Sequence, residues 1–239
     1  MITKQLAEFG LGNRYEDFPP SLVEAAKYLL LDTVGCAIGA VDTPPGEALR
    51  RIVRQSGPGV ATVLGTGQKT SVSMAAWANG RLGNVLDMDE CYKVQGHHAQ
   101  ATLGAALALC EEQGRTGRDL LGAFIMGFEV GVRLGNYLSP RVTVDEKGRT
   151  RGWTGLVGPG QGVHAACAAA ARLNGLSTEP LADAFGNCAQ YMVGRDWSRQ
   201  WGRDTMLGTL KYADTGWNAR EGVRGIRDIF DSNSYGQVF

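Results

Sequence analysis

Three stretches of the sequence gather residue types that can do chemistry. The first is Leu86-Asp87-Met88-Asp89-Glu90-Cys91 with Gly96-His97-His98 close behind, and it holds two of the chain's three histidines. Carboxylates near imidazoles can exchange protons around neutral pH. Asp87 follows an apolar run and is expected to be the partly buried carboxylate, with a raised proton affinity suited to a general base. His97 and His98 precede an alanine-rich segment, whose first backbone amides can hold an anion. The competing reading is plain: helix-end charges in solvent, and one histidine packed against the next helix. Asp-x-Asp-Glu plus His-His offers oxygen and nitrogen ligands, but the spacing matches no standard metal motif, so no metal is expected.

The second stretch runs from Arg149 to Gly162 and contains Arg151, Trp153, Thr154 and five glycines. A glycine-rich loop that opens a helix, with arginines before it, can cradle a carboxylate or phosphate. It lacks the Gly-Lys-Ser/Thr of a P-loop, and no long strand precedes it as a dinucleotide fingerprint requires. Its alternative is a close-packed loop; His164, just inside the helix, reads as a packing residue. The third stretch is Leu210-Lys211-Tyr212-Ala213-Asp214. A half-buried Lys211 can meet a substrate carboxylate or a developing enolate, whereas a surface lysine would snorkel. Trp197 and Trp201 stand among Arg195, Arg199 and Arg203, a pattern that fits packing or an interface better than an acidic-ligand pocket.

The elements around these stretches read as helices. Pro20, then Ser21 and Glu24 in capping-box spacing, open one that runs to Gly39. Others are expected from Pro45 to the Gly57-Pro58-Gly59 turn, from Ser71 or Ser73 towards Leu86, from Ala99 to Cys110, and from about Leu120 to Leu138. Three more are expected from Gly162 to Leu173, from Ser177 to about Met192, and from Gly208 into Val223. Val60–Leu64 reads as a small strand and Val142–Arg149 as a hairpin or loop. Gly127, Gly131 and Gly135 lie in one row at spacing four. Each glycine weakens a helix by up to about 1 kcal/mol, so the row implies close helix packing that offsets the cost; substrate lying over the row is the weaker reading.

The chain has 239 residues, 44% of them hydrophobic, enough for one sizeable core. Lys+Arg and Asp+Glu both number 24, which argues against electrostatic capture of nucleic acid or an anionic membrane. The five cysteines form no C-x-x-C pair, and no stretch is long and apolar enough for a signal peptide or a membrane span, so a reduced cytoplasmic compartment is expected.

In order, Leu30-Leu31-Asp32-Thr33-Val34-Gly35-Cys36, Leu86-Asp87-Met88-Asp89, Gly114-x-x-Gly117-Arg118-Asp119-Leu120-Leu121, Gly127-Phe128-Glu129-Val130 and Ala168–Leu176 resemble the MmgE/PrpD family. That family includes 2-methylcitrate dehydratase, cis-aconitate decarboxylase and iminodisuccinate epimerase. The resemblance implies an all-α fold of the family's helical-domain type, with at most a short β-hairpin. It covers 1–239 as a single domain and lacks the α/β lid; 231–239 resembles the start of the crossover to that lid. It implies catalytic candidacy for Asp87, His97 and Lys211. Cys91, His98, Arg151, Trp153 and Thr154 would line the substrate. Cys91 stands where the family has Thr, Tyr92 and Asp214 where it has His, and Thr154 where a catalytic His is expected.

The chemistry implied is cofactor-independent proton abstraction beside a carboxylate of a small organic acid, by a dehydratase- or decarboxylase-like lyase or an isomerase. Lys211 and Arg151 would support the developing charge. The site would be completed by a separate lid subunit or a partner protomer, and a homodimer through the helical domain is expected. The alternatives are a non-catalytic helical dimerisation module, or a family member repurposed for a bulkier biosynthetic acid.

Overall fold

The computed structural model describes residues 2–92, 96–138, 141–154, 160–191 and 214–235. Two of its helices have almost no polar face. In the helix Gly160–Leu173, Val163 and Ala165 to Ala171 are fully buried, and in Ala99–Gln113 so are Ala99, Ala101, Ala105, Ala106 and Ala108. A helix that is apolar all round belongs at the centre of a fold, and there these two pack against each other.

In chain order the helices are α1 (Ile2–Gly12), α2 (Pro20–Gly39), α3 (Pro44–Gln55), α4 (Val72–Asn84), α5 (Ala99–Gln113), α6 (Gly117–Leu138), α7 (Gly160–Leu173), α8 (Thr178–Ala189) and α9 (Asp214–Tyr235). A single 3₁₀ turn, Tyr15–Asp17, joins α1 to α2. Helices α4, α6 and α9 surround the α5–α7 pair; α1 and α8 cover one end and α2 lies over α4, α5 and α6. The mostly helical class expected from sequence is what the structure has.

Among the described residues two small antiparallel hairpins accompany the helices. The strand expected at 60–64 is β1 (Ala61–Val63), and it pairs with β2 (Gln68–Thr70), which sequence did not reveal. Asn79 of α4 fixes β1 by accepting the Leu64 N–H and donating to the Thr62 carbonyl, both at 2.9 Å. The second hairpin joins β3 (Arg141–Val144) to β4 (Thr150–Thr154) through a turn in which Asp145 accepts the amides of Lys147 and Arg149.

Some local expectations change. Ser21 and Glu24 form no capping box: α2 starts at Pro20 without a side-chain cap, and Glu24 pairs with Lys27. The cap that Thr116-Gly117-Arg118-Asp119 predicts at α6 does form, with Thr116 and Asp119 exchanging backbone-to-side-chain hydrogen bonds. Helix α9 continues past Val223 to Tyr235, because Ala219, Val223 and Ile226 keep burying one face. Residues 208–213, where it was expected to start, lie outside the described residues.

The glycine row does bring helices together. A Cβ at Gly127 would sit 2.6 Å from the Ala165 carbonyl oxygen and 2.7 Å from Thr102 Cγ2; one at Gly131 would sit 3.0 Å from Ala165 Cβ. Gly122, in the same helix, would meet nothing nearer than 3.5 Å. Gly122→Ala should therefore gain up to about 1 kcal/mol of stability from helix propensity. Gly127→Ala should lose about 1–3 kcal/mol by overpacking. Paired urea denaturation of the two variants checks this, and equal effects would remove the packing explanation.

Candidate functional site

Helix α4 ends at Asn84, and two residues beyond its C-cap Asp87 takes a left-handed backbone, φ +54. This region is costly for most residues but open to Asp, and it stops a helix as glycine usually does. The Asp87 N–H closes onto the Asn84 carbonyl at 3.1 Å. The turn carries Asp89 back under the junction of α4 and α5, where its side chain is 0% exposed. The burial expected of Asp87 thus belongs to Asp89, while Asp87 keeps 36% of its side chain in solvent. The reason is the chain reversal itself: the residue that makes the turn stays outside, and the one two positions later goes in.

Buried Asp89 is surrounded by N–H donors. Asn84 Nδ2 lies 3.0 Å from both of its oxygens, and Gln100 Nε2, from the first turn of α5, donates to Oδ2. His97 Nδ1 lies 3.0 Å from the same oxygen. The opposite ring nitrogen, Nε2, stands 3.8 Å from Asp87 Oδ1. The imidazole is therefore set between one buried and one half-exposed carboxylate. Burial pulls its pKa down, but the Asp89 hydrogen bond and the charges of Asp89 and Glu90 outweigh that, and the net shift is upward.

Glu90 closes the start of α5. It accepts the backbone N–H of His98 at 2.8 Å and of Ala99 at 3.2 Å, and Gln100 Nε2 at 2.9 Å. A carboxylate at a helix N-terminus gains about 0.3–2 kcal/mol, but burying it costs several kcal/mol. Burial wins, and the Glu90 pKa is pushed up to about 7 despite the backbone amides, the His97 charge and Gln100. His98, the residue before α5, is fully buried against Phe128 and beside Gly131. Burial, aided by the His97 charge, lowers its pKa to about 4, so it is neutral near pH 7.

The site residues named from sequence divide into three groups. Asp87, His97 and Cys91 share one loop; the exposed Cys91 thiol is pushed up by burial and by neighbouring Glu90, so it stays protonated at neutral pH. His98 adjoins them but turns inward onto α6. Arg151 is on the second hairpin, where its Nε lies 3.4 Å from Asp145 Oδ2; Trp153 and Thr154 follow it in β4. Lys211, Trp197 and Trp201 lie outside the described residues. The sequence reading missed Asn84 and Gln100, which hold Asp89, and it treated Asp89 and Glu90 as loop charges or as ligands of no standard metal motif. A signal was there: amide side chains flank the acidic run at its last helical residue on one side and its next helix on the other.

Asp89, Glu90 and His97 are the one group among the described residues whose donor atoms, all within 4.8 Å of one another, could hold a metal ion. Both carboxylates already accept protein N–H donors, a set that matches anions, and a cation would have to displace it. Among the described residues no helix is long and apolar enough to cross a membrane.

The buried groups set opposite pH dependences. Above pH 4.5 an unfolded Glu90 loses its proton, while the folded one keeps it to about 7, so its contribution to stability falls as pH rises. Below pH 6.5 an unfolded His98 takes a proton that the folded one refuses until about 4, so its contribution falls as pH drops. The two oppose each other in the native chain. Glu90→Gln should unmask a stability that rises between about pH 4 and 6.5. Urea midpoints across that range test this; a profile parallel to the native one would mean that Glu90 is not the proton holder.

Residues 4–227 match the MmgE/PrpD N-terminal domain. The Cis-aconitate decarboxylase-like protein oryM of Aspergillus oryzae is 29% identical, over 98% of this chain and 50% of that protein. Cis-aconitate decarboxylase of Aspergillus terreus is also 29% identical, over 94% of this chain and 44% of its own length. The chain thus spans about half the length of the curated relatives it matches, and over that half, with a helical fold to suit, it belongs to the MmgE/PrpD family.

Proposed function

We propose that this chain carries the helical side of a lyase- or isomerase-type site, which removes a proton next to a carboxylate of a small organic acid. The observation that supports it is His97 held between Asp89 and Asp87. In this reading Asp89 accepts Nδ1–H, which fixes the ring and leaves Nε2 to take the substrate proton. Asp87, half-exposed beside Nε2, steadies the imidazolium that forms or serves as the base itself. Asp89 is a positioning residue, because its oxygens are consumed by Asn84, Gln100 and His97. Lys211 and Arg151 supply positive charge to an enediolate-like intermediate. Cys91, His98, Trp153 and Thr154 line the substrate. Names of the matched relatives put cis-aconitate, a tricarboxylic acid, first among substrates to try; its loss of carbon dioxide leaves a carbon that takes up a proton, which protonated His97 would deliver, whereas loss of water needs a hydroxylated acid such as citrate.

The site works best when closed to water, and we assign that closure to a lid on a separate subunit or a partner protomer, in a homodimer formed through the helices. One observation favours the second reading, a non-catalytic docking module: Tyr28, Leu31 and Ile38 are 71%, 69% and 51% exposed along one stripe of α2.

Activity on citrate-like acids, read by proton NMR in deuterium oxide, separates these readings. The chain alone should turn over slowly, and a lid-bearing partner should raise the rate. In the complete system His97→Gln should lower kcat by roughly 10²–10⁴-fold. Asp89→Asn should shift the pH–rate profile as well as the rate. Full activity in His97→Gln would rule out the base assignment. Rapid turnover by the chain alone would rule out the separate lid.

A further inference from the structure

At the far end of α5 from His97, about 22 Å away at 1.5 Å per residue, lies a cleft of about 640 Å³. Two helix ends shape it. Helices α5 and α7 stop at Gly114 and Gly175, which take positive φ of 61 and 66. The next amides, of Arg115 and Leu176, turn back onto the Cys110 and Ala171 carbonyls. Both are glycine-terminated helix stops. They bring Arg115 beside Arg172, with the 3₁₀ turn and the start of α6 forming the opposite wall.

Four arginines line this cleft, Arg14, Arg115, Arg118 and Arg172, against two carboxylates, Glu16 and Asp119. Those carboxylates neutralise it only in part, Asp119 acting on Arg115 and Glu16 on Arg172. Asp119 is engaged in capping α6, and Glu16 approaches Arg118 only to 3.9 Å. Arg14 is matched by Asp17. Arg115 and Arg172 bond to neutral oxygens: Arg115 to Gln113 Oε1 at 2.9 Å and the Leu173 carbonyl at 2.7 Å, and Arg172 to the carbonyls of Leu11 and Asn13. Such acceptors fix a guanidinium without cancelling its charge, since a helix end offers about half an elementary charge. Burial lowers the Arg172 pKa, a sign that water solvates it poorly. Arg172 alone of the four is part-buried, its desolvation offset only in part by the Glu16 charge, while Arg14, Arg115 and Arg118 stay exposed, where a ligand can meet them. Gly122 leaves the space above Arg172 open, its absent Cβ falling 3.5 Å from Nε.

We propose that this cleft is a second binding site, for a small polyanion whose clustered negative charges, as in a diphosphate, pair with Arg115, Arg118 and Arg172. The volume suits a metabolite-sized ligand. Planar guanidiniums with fixed orientation suit bidentate binding of phosphate or carboxylate oxygens. The site is independent of the proton-abstraction reading, since none of its residues belongs to the α4–α5 loop.

Calorimetric titration of the full chain with inorganic pyrophosphate tests it. Saturable binding of one pyrophosphate per chain is expected, weakening as salt rises. Arg118→Gln has no helix-end carbonyl to lose. It should weaken binding roughly tenfold while leaving the melting temperature unchanged. Arg115→Gln combined with Arg118→Gln should abolish binding, and Arg172→Lys should retain part of it. His97→Gln should bind normally, which separates this cleft from the α4–α5 site. Absence of saturable binding, or equal affinity in the native chain and the Arg118→Gln variant, would overturn the proposal.

Discussion

The α4–α5 junction is organised by the need to match one buried carboxylate. Asp89 cannot be taken out of water as an anion unless its lone pairs meet donors. Two donors come from the last residue of α4 and the second residue of α5, Asn84 and Gln100, and the intervening loop sets His97 Nδ1 3.0 Å from Oδ2. Each fixes a different part of the chain. Satisfying Asp89 therefore also sets how α5 begins and which way His97 points. Removing a donor would cost more than one hydrogen bond, because it would leave a buried charge short of a partner.

Close helix packing makes this junction rigid. Alanines and glycines on α5, α6 and α7 let the helix backbones approach until a Cβ at Gly127 would collide with a carbonyl. Small residues bury little apolar area each, so the stability of such a core comes from the number of close contacts and from low side-chain entropy cost. A helix pair packed this tightly has little freedom to slide. That matters for an imidazole whose pairing with Asp89 depends on distances of about 3 Å.

How much of this was legible in sequence follows the physics of each signal. Alanine and glycine periodicity marked the central helices and their close packing, because both are local patterns with one structural solution. The turn at Asp87 was not legible: a left-handed aspartate has no sequence signature as strong as glycine's, so the buried acid was assigned two residues early. Asn84 and Gln100 escaped notice because their role depends on two helix ends meeting in space. The β2 strand, Gln68–Thr70, carries one polar side chain after another, and its pairing with β1, helped by the Thr70 hydroxyl on the Gly57 carbonyl, holds it as a strand. The arginine cleft was invisible for a similar reason, since Arg14, Arg115, Arg118 and Arg172 are brought together by the ends of α1, α5 and α7.

Adjacent histidines with opposite proton affinities carry the chemical argument furthest. His97 and His98 are neighbours in the chain, yet one sits between carboxylates and the other against Phe128 and the α6 backbone. The first is held ready to accept a proton, and the second is kept neutral. Such a separation of like groups in pKa is what the proposed division of acid–base roles would require. Glu90, itself raised to about 7, adds a buried carboxyl group that changes charge near neutral pH. A proton taken up by His97 would arrive between carboxylates of unlike exposure, Asp89 closed to solvent and Asp87 open to it, and on that contrast the proposed chemistry of the α4–α5 loop rests.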